Sequence, residues 1–169
     1  SLLIGVDGLS SPMILLTGLL GPMTVMFAWD EEKRRALFFS LLLLMQTAVY
    51  GVFLTLDYLM FYVFWELTLI AMFFLIAVWG GENRKYASIK YFIYTFTASI
   101  IMLLGILILY FAQTPDYSSA SFTGRTFDMY EITRDSHIAS IGGAPWLGLG
   151  LQKLLFVLFA VGFLVNLPV

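Results

Sequence analysis

Residues Asp57 to Trp79 read DYLMFYVFWELTLIAMFFLIAVW, an apolar run broken by one carboxylate, Glu66, about ten residues in. As a helix at 1.5 Å per residue the run extends roughly 34 Å, enough to cross a bilayer core of about 30 Å. Glu66 then sits near mid-membrane, where an ionised carboxylate with no partner costs several kcal/mol on any scale. Such a residue is neutral, paired, or part of an ion path.

Composition agrees with a lipid setting. Charged residues are 12% of the chain, about half the share of a soluble domain. A net charge of −2 is too small to argue for nucleic acid as a partner. The absence of cysteine excludes disulfides, thiolate metal sites and cysteine-ligated iron–sulfur clusters. A single histidine, His137, leaves little for a haem or a zinc site, so no redox cofactor is expected in this chain. The residues from Ser1 onward show no basic n-region and no cleavage site, and the chain is expected to be a piece of something longer.

Five apolar stretches make an all-α, multi-span transmembrane bundle in one membrane domain, residues 1–169. They are 11–29, 36–56, 57–79, 87–112 and 151–169. The first is interrupted by Pro12, Gly18, Gly21 and Pro22, which predicts a helix that is bent or that begins late. The second is clean except for Gln46. Leu54 to Asp57 is a very short turn with Asp57 placed as an N-cap, making an antiparallel pair. Residues 113–150 form a long polar loop, in which Phe122, Phe127, Met129 and Ile132 are candidates to pack against the helices.

Charge orients the spans. Lys33, Arg34 and Arg35 follow the first helix, and Arg84, Lys85 and Lys90 follow the third. With one crossing between each loop both clusters fall on one side. By the positive-inside rule loops 30–36 and 80–90 face the cytoplasm, or the matrix of a mitochondrion. The opposite side holds the short turn and the long loop, where Arg125 and Arg134 meet Asp116, Asp128, Glu131 and Asp135.

The polar residues inside the spans each have a plain reading and a functional one. For Glu66 the plain reading is a carboxyl held for packing; the functional one is a proton or cation site, which intramembrane acids usually mark. Tyr62, Leu69, Ile70 and Phe73 share its helical face and would strip it of water, which disfavours the charged form. Gln46 reads as an interhelical hydrogen bond. Thr95, Thr97 and Ser99 read as bonds back to their own helix or as points of close helix approach. Lys90, one turn into the fourth helix, snorkels to the interface unless it reaches inward to join the site, and Lys153 has the same status. Asn166, two residues before Pro168, points to a broken helix whose freed backbone could coordinate an ion. His137 reads as solvated in its loop. The four tryptophans belong to interfacial belts. No GxGxxG, P-loop, HExxH or serine-nucleophile elbow occurs.

GVDGLS at residues 5–10, LLTGLLGP at 15–22, and the block GVFLTLDYLMFYVFWELTLIAMFFLIAVWGGENRKYASIKYFIYT from Gly51 are specific well beyond hydrophobic composition. With FTGRTFDM in the loop and LFVLFAVGFLVNLPV at the end, the chain resembles the antiporter-like membrane subunits of respiratory complex I, of the chain M or subunit 4 type. That resemblance implies inverted repeats of broken and unbroken helices. It implies a non-redox, proton-moving subunit of an NADH:quinone oxidoreductase, with Glu66 as the family's intramembrane glutamate. NADH, flavin, iron–sulfur clusters and quinone would then belong elsewhere in the complex, and the partners would be the other membrane subunits and the lipid bilayer. The setting would be a bacterial or archaeal cytoplasmic membrane or a mitochondrial inner membrane.

Two departures bear on mechanism. In the family the glutamate pairs with a lysine on a broken helix two spans later, and Asn166 stands at the position of that lysine. Ala71 stands where the family usually has proline, which predicts a straighter third helix. The expected function is a fragment of the proton-translocating subunit. The alternatives are a structural or assembly subunit that has lost pumping, and a subunit of a related cation/proton antiporter or membrane-bound hydrogenase.

Overall fold

The computed structural model describes residues 4–112, 126–129, 132 and 150–165. Phe122, His137, Trp146, Asn166, Pro168 and every charged residue of the long loop except Asp128 lie outside them. Among the described residues the structure is helical, with only two isolated β-bridges. The helices are α1 (Ser10–Phe27), α2 (Arg35–Leu54), α3 (Tyr58–Trp79), α4 (Arg84–Ala112) and α5 (Leu151–Leu164). Helices α1 to α4 are each long and apolar enough to cross a membrane. The fold is all-α and multi-span. Its residues fall into two compact units, Ser1–Thr55 with Met60–Phe96, and Leu56–Leu59 with Thr97–Val169.

In the first unit α1 begins at Ser10, one residue before the expected span, and Pro12 lies in its first turn. Asp7 fixes that start. Its Oδ1 accepts the backbone N–H of Leu9 at 3.0 Å and of Ser10 at 2.6 Å, and the Ser10 hydroxyl at 2.5 Å, which supplies donors at a helix start with the partners they lack. The Ser10 hydroxyl and then its backbone N–H hold the Asp7 carboxyl below the usual carboxylate range. A depressed folded value means that this cap is complete above the ordinary value of 3.8 and is lost as the pH falls through the lower one. Amide exchange at Leu9 and Ser10 should therefore accelerate on acidification below that point, and an Asp7→Ala variant should show the faster exchange already at neutral pH.

Helix α1 continues through Pro22, which removes one donor from its ladder. Against it, Gln46 of α2 donates its side-chain amide to the Thr17 carbonyl at 3.5 Å, the interhelical bond expected of Gln46. Gly21 leaves the room that the Gln46 side chain occupies. Helix α2 stops at Leu54, two residues before the apolar run ends. Thr55 there turns extended and pairs antiparallel with Ile4, with Gly5 N–H donating to Leu54 O at 2.9 Å.

At the other end of this unit the basic residues act as caps. Lys33 donates Nζ to Val78 O at 2.8 Å, and Trp79 returns Nε1–H to Lys33 O at 2.9 Å. A cation at a helix C-terminus meets the negative end of the dipole and an orphan carbonyl. Arg35 reaches back to Trp29 O at 3.1 Å and lies over the Trp29 ring. Arg34 has φ of 50°, the only positive φ outside glycine among the described residues, and turns the chain into α2. The second basic loop is shorter than predicted. Gly80 N–H closes α3 on Ile76 O at 2.9 Å, and Arg84 N–H bonds Gly81 O at 3.1 Å. Only residues 80–83 remain between the helices, so Arg84, Lys85 and Lys90 lie on α4 itself.

In the second unit Asp57 caps α3 as predicted, its Oδ1 accepting the Leu59 N–H at 2.9 Å. Asp57 pairs across an antiparallel bridge with Asp128. Tyr58 N–H donates to Phe127 O at 3.0 Å and Met129 N–H to Leu56 O at 2.8 Å. Phe127 stacks on Tyr110 with ring centroids 4.2 Å apart, and Ile132 is buried with Leu109 and Leu155. Of the apolar loop residues, Phe127 and Ile132 thus pack against helices. Helix α5 meets α4 where Gly162 lies against Met102 and the Ala98 carbonyl. At 14 residues α5 extends about 21 Å, less than a bilayer core of about 30 Å.

Candidate functional site

The site is built on α3, which is unbroken from Tyr58 to Trp79, through Ala71. Almost every side chain on it is apolar, so the helix could turn any face to any neighbour. Packing decides. Phe64 lies against Gly51 of α2 so closely that a Cβ on Gly51 would stand 2.3 Å from two of its ring carbons. Two residues further, and therefore about 200° round the helix axis, Glu66 points away from α2. It shares a face with Phe73, seven residues on, and Phe73 packs its ring against Phe92 of α4 at 5.3 Å. Glu66 is thereby on the side of α3 that meets α4.

On that face Glu66 is partly buried, and its Oε1 is buried with no hydrogen-bond partner among the described residues. Leaving a buried acceptor unsatisfied costs about 1–3 kcal/mol, in a helix otherwise built to avoid polar groups. Neighbouring Leu69 and Ala71 are buried, and Thr68 turns its hydroxyl back to Trp65 O at 2.7 Å, so it does not serve the carboxyl.

Lys90 is not brought to Glu66. It lies about 200° round α4 from Phe92, is exposed, and holds its ammonium 5.9 Å from the centroid of the Tyr86 ring. That is the snorkelling arrangement. Lys153 at the start of α5 is likewise exposed. Asn166 lies outside the described residues. Thr95 is buried and bonds back to Tyr91 O at 2.7 Å, as sequence reading expects. Sequence reading missed that Thr95 stands on the same face of α4 as Phe92, and that Gly51 receives Phe64. No sequence signal marks a glycine as the seat of one particular ring. Among the described residues no three of His, Asp and Glu gather as a metal-ligand set.

Comparison with known proteins fits this architecture. The family model described as NADH:quinone oxidoreductase/Mrp antiporter, TM, matches residues 55–169. The chain is 43% identical over 168 residues to the F(420)H(2) dehydrogenase subunit M of Methanosarcina mazei, covering 98% of this chain and 31% of that protein. It is 39% identical over 166 residues to the NAD(P)H-quinone oxidoreductase chain 4 1 of Synechococcus sp. (strain JA-3-3Ab), covering 98% and 28% respectively. It is 35% identical over 167 residues to the NADH-quinone oxidoreductase subunit M of Rhodobacter capsulatus, covering 98% and 31%. The chain thus spans about a third of the length of the curated relatives it matches. With its apolar spans, its single mid-helix glutamate and a family match over most of its length, the chain belongs to the NADH:quinone oxidoreductase/Mrp antiporter transmembrane family.

Proposed function

We propose that this chain is part of a proton-translocating, antiporter-like subunit of a complex-I-type dehydrogenase, and that Glu66 carries the proton. The observation behind this is the buried, unpartnered Oε1 of Glu66 on a helix that could otherwise be wholly apolar. A carboxyl there costs free energy for nothing unless it exchanges a proton. The three relatives named above carry names for more than one electron donor, F(420)H(2) in one and NAD(P)H or NADH in the others. A segment shared by all of them serves the step they have in common, energy transduction in the membrane, whereas donor chemistry belongs to other subunits. NADH or another donor, flavin, iron–sulfur clusters and quinone would be held there, and the direct partners would be neighbouring membrane subunits. The basic end of α1 to α4 would face the cytoplasm or matrix.

A structural role is the second reading, and Asn166 favours it. An amide cannot carry the positive charge that the family's lysine offers to the glutamate, so the usual charge exchange would be missing. Glu66→Gln separates the two readings. The amide is nearly isosteric, so assembly should be normal by native electrophoresis. Proton translocation in reconstituted vesicles should fall about 10²-fold, the low end of what a positioned proton carrier contributes. Normal assembly with wild-type pumping would leave the structural reading standing and remove the proton-carrier one.

A further inference from the structure

We infer that the cleft between α1 and α2 is a water-binding site in the middle of the membrane, where bound water serves the Gly18 carbonyl, the Gln46 amide and the Tyr50 hydroxyl. It is separate from Glu66, which points away from α2, and stands without the proton-carrier reading. Pro22 lies inside α1 and has no N–H, so the carbonyl four residues back, that of Gly18, loses its helical donor. Helical carbonyls point toward the C-terminus, which directs this one at the turn of Gly21 and Pro22.

The glycines of that turn face α2. A Cβ on Gly18 would stand 2.9 Å from the Tyr50 hydroxyl oxygen, and one on Gly21 would run into the Gln46 amide. Gln46 and Tyr50 are four residues apart, so α2 presents both from one face. These polar groups are poorly satisfied by protein. Gln46 Nε2 donates to the Thr17 carbonyl at 3.5 Å, longer than the usual range of about 2.7–3.2 Å. The amide has a second N–H and an oxygen besides. Among the described residues no side chain donates to the Gly18 carbonyl, and the Tyr50 hydroxyl has no hydrogen-bond partner.

Beside them is a cavity of about 260 Å³, lined by Thr17, Gly21, Thr24, Met45 and Gln46 and otherwise by aliphatic side chains. One water needs roughly 10–15 Å³ of such space and two to four polar partners, and the polar end of the cleft meets both conditions. The Thr17 and Thr24 hydroxyls donate to Met13 O and Leu20 O, each at 2.8 Å, and keep lone pairs that a water can donate to. Hydrocarbon offers none of these bonds. Water that donates to the Gly18 carbonyl and accepts from the Gln46 amide or the Tyr50 hydroxyl supplies them, and lets α1 run through Pro22 without breaking.

Radiolytic footprinting of the assembled membrane enzyme is the test, because hydroxyl radicals made from a bound water oxidise the side chains beside it. Met45 lines the cleft and its thioether is readily oxidised. Met102, fully buried, is the control. Met45 should be oxidised well above Met102 in the wild type, and that oxidation should be lost in Gln46→Leu. Tyr50→Phe removes only a hydroxyl and should reduce it too, which keeps the test available if Gln46→Leu does not assemble. Melting gives a second readout. Pro22→Ala returns an N–H to the Gly18 carbonyl, so it should raise the melting temperature more in a Gln46→Leu background than in the wild type, where water already serves that carbonyl. An unoxidised Met45 in the wild type would overturn the inference and leave the cleft to acyl chains. Oxidation that persists in Gln46→Leu and Tyr50→Phe would also overturn it, as would strictly additive effects of Pro22→Ala and Gln46→Leu on melting.

Discussion

Gly51→Val is expected to unfold the contact between α2 and α3, lowering the melting temperature of the assembled protein in detergent and the amount recovered in the membrane. The first added carbon would overlap Cγ, Cδ1 and Cε1 of the Phe64 ring. Those atoms include the base of the ring, which moves only if the backbone of α3 moves. Overpacking a fitted contact costs about 1–3 kcal/mol, and a branched side chain on this position belongs at the top of that range. Gly21 is the contrast. There an added carbon would meet the amide end of Gln46, which can swing aside, so Gly21→Ala should cost under about 1 kcal/mol. The milder Gly51→Ala should turn α3 rather than detach it. Since Phe64 is two residues from Glu66, proton translocation should then fall before the yield does. Wild-type melting of Gly51→Val would show that Phe64 does not seat on Gly51.

Gly162→Val should damage the α4–α5 contact by a similar amount, about 2–3 kcal/mol. A Cβ on Gly162 would stand 2.7 Å from Met102 Cβ and 3.5 Å from the Ala98 carbonyl oxygen. Met102 is fully buried, and a Cβ has no rotamer by which to retreat, so the helices would have to part. Gly105 supplies the control on the same pair of helices. Its Cβ would come no closer than 3.4 Å, to Leu158, an ordinary contact, and Gly105→Ala should melt within about 0.5 kcal/mol of wild type. Equal melting of Gly162→Val and Gly105→Ala would refute the close approach at Gly162.

Both effects depend on features that hydropathy does not report. The boundaries of α2 and α3 were readable within two residues because lipid demands apolar runs of a certain length and Asp57 supplies a visible cap. The start of α4 was placed three residues late, because charged Arg84 and Lys85 read as loop although backbone bonds to Gly81 and Asn83 carry the helix through them. The start of α1 was readable within one residue, because Pro12 is compatible with a first helical turn.

Residue type alone was enough to place the chain in a membrane, to find the four helices long and apolar enough to cross it, and to single out Glu66. It was also enough for the family resemblance, which depends on side-chain identity in order. Direction was another matter. On a helix apolar all round, the hydrophobic pattern favours no face, so nothing in residues 57–79 says where the carboxyl points. Phe64 against Gly51 and Phe73 against Phe92 decide that, through shape at two contacts between segments distant in sequence. The same two contacts turn Glu66 toward the face of α4 that carries Thr95, and α4 itself turns Lys90 away. Steric fit between helices, which exists only once they have packed, makes a lone acid in an apolar run into a site.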